Sequence, residues 1–279
     1  MSEQADRAKR FLALHEGEKP LLLPNPWDRG SAKLLASLGF EALATTSSGA
    51  AATLGRLDGG MTLEEAIASA AEIVEATDLP VSADLENGFA DDPEGVAETV
   101  RLALAAGLAG ASIEDYRGGE EARLYDIGHA AERVAAAVEA AHDGPARLVL
   151  TARAENHLRG VDDLEDTIAR LQAYQEAGAD VLYAPGLRSL DDIRRVVSSV
   201  ERPVNVLAFP GVPSVPELAA VGVRRVSVGG AFAFAALGAT VEAARELLDD
   251  GTYGYLKWTG LGLQIARPVF AEEPEEPAA

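Results

Sequence analysis

The chain is predicted to fold as a single (β/α)8 barrel of the α/β class. Three observations predict it. Short apolar runs alternate with helical segments eight times along the sequence. The length, 279 residues, is near that of one such barrel, roughly 250 residues. And Gly39, Gly107, Gly178 and Gly222 each stand between a helical segment and the next apolar run, as C-cap glycines feeding a strand would. An open doubly wound sheet is the weaker alternative, because no Gly-x-Gly-x-x-Gly follows the first strand.

The elements follow in order. Residues 1–18 read as a leading helix and residues 19–250 as the barrel. The strands are expected at residues 21–24, 42–47, 81–85, 110–114, 148–152, 181–184, 204–207 and 225–228. They are rich in Val, Leu, Ile and Ala without clean alternation, as in strands buried on both faces. Helical patterns lie at residues 31–38, 62–76, 93–106, 130–141, 164–176, 190–200, 215–220 and 231–248. Thr62 with Glu65 forms a capping box, and Pro93 suits a first helical turn. Residues 251–270 form a C-terminal arm whose aromatic and aliphatic side chains need a surface to cover them. A second subunit and the base of the barrel are equal candidates. Residues 271–279, rich in Glu, Pro and Ala, are expected to be a disordered tail.

Composition narrows the function. The chain has no cysteine, which excludes disulfides, thiolate zinc sites and thiol nucleophiles. Four histidines make a histidine-rich metal site improbable. A net charge of −21 argues against nucleic-acid partners, which need a concentrated basic surface. No signal-peptide pattern opens the chain and no apolar run is long enough to span a bilayer, so no membrane partner is expected and the location is read as cytoplasmic.

A barrel builds its site at the C-terminal ends of its strands. The polar residues there include Asn25 to Asp28, Thr45 to Gly49, Asp84 to Gly88, Glu114, Asp115, Arg153 to Asn156, and Asn205 on the seventh strand. Taken singly, Asp84, Glu86 and Glu114 are equally well explained as solvated or helix-capping carboxylates. Together, with Asp58 on the neighbouring loop, they crowd one rim. Four such carboxylates repel unless a cation sits among them, and oxygen-only ligation selects a hard ion, Mg²⁺ or Mn²⁺. Arg153 offers a two-pronged fork for a substrate carboxylate, with a structural ion pair as its plain alternative. Thr46, Ser47, Ser48 and Gly49 offer hydroxyl and N–H donors to an anion, or form an ordinary polar loop. His157 reads as a surface-loop histidine.

Six segments in order resemble the isocitrate lyase / phosphoenolpyruvate mutase family. They are Pro24-Asn25-Pro26-Trp27-Asp28, Thr45-Thr46-Ser47-Ser48-Gly49, Leu54-Gly55-Arg56-Leu57-Asp58-Gly59, Ser82-Ala83-Asp84-Leu85-Glu86-Asn87-Gly88-Phe89, Ser112-Ile113-Glu114-Asp115 and Thr151-Ala152-Arg153-Ala154-Glu155. The resemblance implies Mg²⁺, with Asp84 as direct ligand and Asp58, Glu86 and Glu114 acting mainly through water. It implies Ser47, Ser48 and Gly49 as a substrate-carboxylate cradle and Arg153 as the substrate arginine. It also implies a homo-oligomer, dimer or tetramer, with the last helix exchanged between subunits.

The departures matter equally. Lyases of the family carry a catalytic Cys in the loop after the fourth strand, and phosphonate mutases an Asn. Here that loop is short, Tyr116-Arg117-Gly118-Gly119-Glu120-Glu121-Ala122-Arg123, with neither. The mutase histidine near the end of the sixth strand is also missing. Gly118-Gly119 reads either as the hinge of a small lid carrying Tyr116, Arg117, Glu120 or Arg123 toward the site or, at least equally well, as a simple exposed turn. The expected activity is a Mg²⁺-dependent lyase or hydrolase acting on a small 2-oxo or 2-hydroxy (di)carboxylate through an enolate-like intermediate. Arg153, Glu114 and Tyr116 are the catalytic candidates, and Thr46 to Gly49, Arg153 and Asn205 the substrate contacts. The alternatives are a phosphonopyruvate hydrolase or mutase-type phosphonate enzyme, and a non-catalytic carboxylate-binding barrel.

Overall fold

The computed structural model describes residues 2–119 and 122–271. Its eight parallel strands are β1 (Leu21–Leu23), β2 (Leu43–Ala44), β3 (Val81–Asp84), β4 (Gly110–Glu114), β7 (Val149–Arg153), β8 (Val181–Tyr183), β9 (Val204–Leu207) and β10 (Arg225–Ser227). They pair in the order β1-β10-β9-β8-β7-β4-β3-β2, so the sheet curls until its first two strands become its edges. One backbone bond crosses that gap, from Ala44 N to Pro24 O at 3.1 Å. The sheet is thus a nearly closed barrel.

Helices α2 (Arg29–Ser37), α4 (Leu63–Glu75), α5 (Pro93–Ala105), α6 (Ile127–His142), α7 (Leu164–Glu176), α8 (Leu190–Ser198), α9 (Val215–Ala220) and α10 (Ala231–Arg245) follow the strands in turn. Their caps are those expected. Thr62 and Glu65 make the capping box of α4, and Pro93 opens α5 behind the Asp92 cap. The four C-cap glycines adopt φ between +85° and +100°, a region closed to most side chains. Leu43, Leu85, Leu108, Ile113, Leu148, Leu150 and Leu171 are at most 1% exposed between sheet and helices. Each such side chain contributes about 1.5–3 kcal/mol.

The leading helix α1 (Glu3–Ala13) closes the bottom of the barrel. Ser2 caps it, and its Ala8 and Phe11 pack on Leu21, Leu23, Ala109, Val149 and Val181. The interior above is polar. Arg225 is buried there with Nε on Asn205 Oδ1 at 3.0 Å and Nη1 3.4 Å from His15 Nε2. His15 Nδ1 donates to Phe11 O at 2.8 Å.

Three elements depart from expectation. The second strand ends early, and Ser47 already begins a helix, α3 (Ser47–Thr53), capped by Thr46. The loop after β4 forms a short antiparallel hairpin, β5 (Tyr116–Arg117) with β6 (Arg123–Leu124). The C-terminal arm is a helix, α11 (Leu256–Phe270), reached through a π-helical turn at Glu246–Asp250. It runs beside α2, where the Phe270 ring stands close to Gly30, and not across the base, which α1 already covers. No residue of α11 is buried, and Ala233 alone is buried on α10. The expected disorder of the tail lies, beyond residue 271, outside the described residues.

Candidate active site

Three of the rim acids, Asp58, Asp84 and Glu86, lie together. Asp84 ends β3, and its Oδ2 accepts Ser47 N at 3.1 Å and Ser47 Oγ at 2.9 Å. Ser47 Oγ also stands 2.8 Å from Asp58 Oδ1. A hydroxyl has one proton, so it satisfies only one of these carboxylates at a time. Glu86 lies on the turn after β3 with φ +48°. Burial, then Asp84 and Asp58, push its carboxyl up to about 7. The unbalanced negative charge of the rim is concentrated on these three acids.

Glu114 belongs to a separate arrangement. Its Oε2 meets Arg153 Nη2 at 3.0 Å and its Oε1 meets Arg159 Nη2 at 3.2 Å. Glu155 closes the circuit, with Oε1 2.7 Å from Arg153 Nη2 and Oε2 3.1 Å from Arg159 Nε. Two arginines and two glutamates therefore alternate in a ring of no net charge when all are ionised. Arg153 Nη1 reaches out of it to Asp84 Oδ1 at 2.9 Å. Burial pushes the Glu114 carboxyl upward against the pull of Arg153. Arg153 lies over the buried Tyr183 ring at 5.1 Å, and Arg159 over the Tyr116 ring at 3.8 Å.

A buried shell holds these groups in place. Arg133 on α6, 1% exposed, donates to the carbonyls of Asn87, Ala90 (2.9 Å) and Glu114 (3.3 Å), and stacks on Tyr125. Asp115 accepts Glu155 N at 2.9 Å, Arg170 Nη1 at 3.0 Å and the Tyr174 hydroxyl at 2.5 Å. So α6 fixes the loops after β3 and β4, and α7 fixes the loop after β7.

Two cavities meet here. An inner one of about 140 Å³ descends into the barrel past Asp84, Arg153 and Tyr183 to Arg225. An outer one of about 580 Å³ is lined by Glu86, Glu114, Tyr116, Arg117 and Arg159. Ser47, Asp58, Arg153 and Leu158 line both. Among the described residues, no group of three or more acids and histidines forms a ready metal cage. The donors nevertheless fit a hard ion. They are all oxygen, and Mg²⁺ takes one or two carboxylates and keeps several waters. Asp84 Oδ1 spends one lone pair on Arg153 and has another to give.

The family model for phosphoenolpyruvate phosphomutase matches residues 11–248. The chain belongs to the phosphoenolpyruvate mutase/isocitrate lyase superfamily. It is an enzyme of that superfamily, whose members are lyases and mutases. A solved Burkholderia cenocepacia protein, described as a candidate lyase/mutase, is 50% identical with a TM-score of 0.94, covering 98% of this chain and 99% of its own. The oxaloacetate decarboxylase of Chromohalobacter salexigens is 31% identical over 88% of this chain and 87% of its own. A structure of oxaloacetate acetylhydrolase with the product oxalate is 27% identical with a TM-score of 0.81, over 95% of this chain and 97% of that one.

In this superfamily member several expected substrate contacts are otherwise engaged. Ser47 gives both its N–H and its hydroxyl to acids. Thr46 caps α3, taking Gly49 N on its hydroxyl and contacting Ser48 Oγ at 3.1 Å. Gly49 is needed for packing, because a Cβ there would lie 2.6 Å from Thr46 Cγ2. Ser48 lines the inner cavity. Asn205 lines it too, but its amide is held by Ser227 and Arg225. Tyr116 and Arg117 line the outer cavity, Arg123 lines neither, and Glu120 is outside the described residues. His157 is not a surface histidine. Its side chain is 10% exposed, with Nδ1 3.2 Å from Asp162. Sequence reading placed Glu155 at the end of the fifth strand without a role, and missed Arg159 and Arg133. No local signal marked those two, since each acts through a turn of chain or a helix face that only the fold brings back to the rim.

Proposed function

We propose that the chain is a Mg²⁺-dependent enzyme that breaks a carbon–carbon bond beside the oxo or hydroxyl carbon of a small 2-oxo or 2-hydroxy dicarboxylate, oxaloacetate foremost. One observation carries the reading. Asp58 and Asp84 compete for the one hydroxyl proton of Ser47, and both raise the carboxyl of nearby Glu86, at the mouth of a well large enough for only a small acid. Oxaloacetate is also named for two relatives, the decarboxylase and the acetylhydrolase. Enzymes of this superfamily are typically divalent-metal dependent.

Asp84 would hold the cation directly, with Asp58, Glu86 and Glu114 arranging its waters. When bound, the metal draws off negative charge developing at the oxo oxygen and so lowers the barrier to the adjacent bond cleavage. The chain's residues do the rest. Ser47 and Arg153 orient Asp84. Arg153 offers a substrate carboxylate its guanidinium by exchanging one of its acids, and Tyr183 supports it from below. Glu86, with its carboxyl near neutrality, can hold or release a proton at the cavity mouth. Tyr116 serves by positioning Arg159.

We also infer a homo-oligomer. Phe234, Leu237, Val241, Leu256, Trp258 and Leu261 on α10 and α11 are 46–62% exposed, an apolar face suited to exchange of the arm with a second copy. Among the described residues no helix is long and apolar enough to cross a membrane.

The test is turnover of oxaloacetate with Mg²⁺ and with EDTA, following pyruvate, acetate and oxalate. Metal-dependent product that disappears in Asp84→Asn supports the reading. Wild-type rates equal in Mg²⁺ and EDTA would defeat it. Phosphate release from phosphonopyruvate in the same screen would assign the site to phosphonate chemistry. Oxalate binding without turnover would make it a carboxylate-binding barrel.

A further inference from the structure

The outer cavity holds a guanidinium, Arg159, to which the reading above gives no substrate contact. Arg153 is heavily committed, with Nη1 on Asp84, Nη2 on Glu114 and Glu155, and Nε on Glu155, and 11% of the side chain exposed, so it can meet a ligand only by giving up an acid or through the second N–H of Nη1. Arg159 spends only Nε and Nη2 on the same glutamates, and Nη1 makes no hydrogen bond among the described residues. Its side chain is 31% exposed and lines the outer cavity. The Tyr116 ring beneath it, at 3.8 Å, fixes the plane of the fork before any ligand arrives. Preorganisation of that kind lowers the entropy cost of a two-pronged contact.

The surroundings make this position selective. Asp58, Glu86 and Asp91 line the same cavity and repel a second carboxylate elsewhere. Arg117, the other guanidinium beside them, is paired with Asp91 at 3.0 Å. Because the two cavities share Ser47, Asp58, Arg153 and Leu158, one ligand can span both. We propose that Arg159 is the specificity-determining residue of the site, receiving the far carboxylate of a dicarboxylate in the outer cavity while its 2-oxo acid end fills the inner one. This rests on the oxo-acid reading of the inner cavity.

The experiment is titration calorimetry of the full chain in saturating Mg²⁺ with oxalate, pyruvate and 3,3-difluorooxaloacetate. Wild type is expected to bind the difluoro dicarboxylate roughly ten- to a hundredfold more tightly than pyruvate, the scale of a charge-assisted contact. In Arg159→Gln that preference falls below threefold, through loss on the dicarboxylate. Arg159→Lys keeps the charge but not the fork and retains part of it. A Gln variant that keeps the full preference overturns the proposal while leaving the inner site intact. So does a Gln variant that loses all three ligands together, since Arg159 would then act only through Glu114 and Glu155. Wild type that binds none of the three sinks the oxo-acid reading itself, and the proposal with it. Should the Gln variant fail to melt cooperatively, Arg159→Lys decides: an undiminished preference, with oxalate bound, overturns the proposal.

Discussion

Arg133 is the residue whose loss should be felt both in stability and at the site. Arg133→Met keeps the apolar stem and removes the guanidinium. Three carbonyls, on Asn87, Ala90 and Glu114, lose a donor in a position where water enters poorly. At about 1 kcal/mol or more for each bond, and about 1 kcal/mol for the stack on Tyr125, the gross loss is about 4–5 kcal/mol. Removing a buried charge returns part of it, since burial already depresses the Arg133 pKa. A net cost of about 3 kcal/mol would lower Tm by about 6–12 °C in a chain of this size. Two of the carbonyls follow Glu86 in its loop and one belongs to Glu114, so the acids shift with their loops. A misplacement near 1 Å costs about a hundredfold in rate. The assay pairs a calorimetric melt with kcat/KM for pyruvate release, and Arg133→Lys should fall between wild type and Met. A Met variant melting within about 2 °C of wild type with unimpaired turnover would refute the argument.

Other outcomes follow from other parts of the molecule. Burial holds His15 near pKa 3 in the folded state against 6.5 in the unfolded one, so the unfolded chain binds more protons between those values and stability falls as pH drops below about 6.5. The loss between pH 7 and 5 is about 2 kcal/mol by the same linkage, read as a smaller urea-midpoint difference in His15→Gln than in wild type. Gly110→Ala would place a Cβ 2.6 Å from Phe11 Cε1 and 3.0 Å from Ser82 Oγ, costing about 1–3 kcal/mol in a denaturant melt. Deleting residues 251–279 is expected to leave a species of single-chain mass by light scattering. Unchanged mass would show that the arm does not hold copies together.

The fold was legible because its causes are local and repeated. Each strand is an apolar run bounded by polar residues, and most helices carry a polar N-cap residue, so the two ends of α7 and α9 fall where the pattern puts them. The boundary at Thr46 was not legible. The run from Ala42 reads as a longer strand, and only the fold shows Thr46 turning its hydroxyl to cap α3. Asp84, Glu86 and Glu114 were visible near strand ends, Asp58 on the next loop, and Glu155 in the same segment as Arg153. The remaining partners were not: Arg159 meets Glu155 across a turn, and Arg133 arrives from a helix whose sequence looks like any amphipathic segment. Arg153 showed its charge in the sequence but not its three acids.

The gap between β1 and β2 makes the barrel a clasped ring and not a welded one. Seven junctions are strand ladders, while the eighth depends on Ala44 N and on Asn25, whose Nδ2 donates to Thr45 O at 2.8 Å and whose Oδ1 takes Val228 N and Gly229 N at 2.9 Å. One amide side chain thus ties three strands at the lip of the inner well. On its β1 side the lip of that well therefore rests on one amide side chain and one backbone hydrogen bond, where every other junction is held by a ladder.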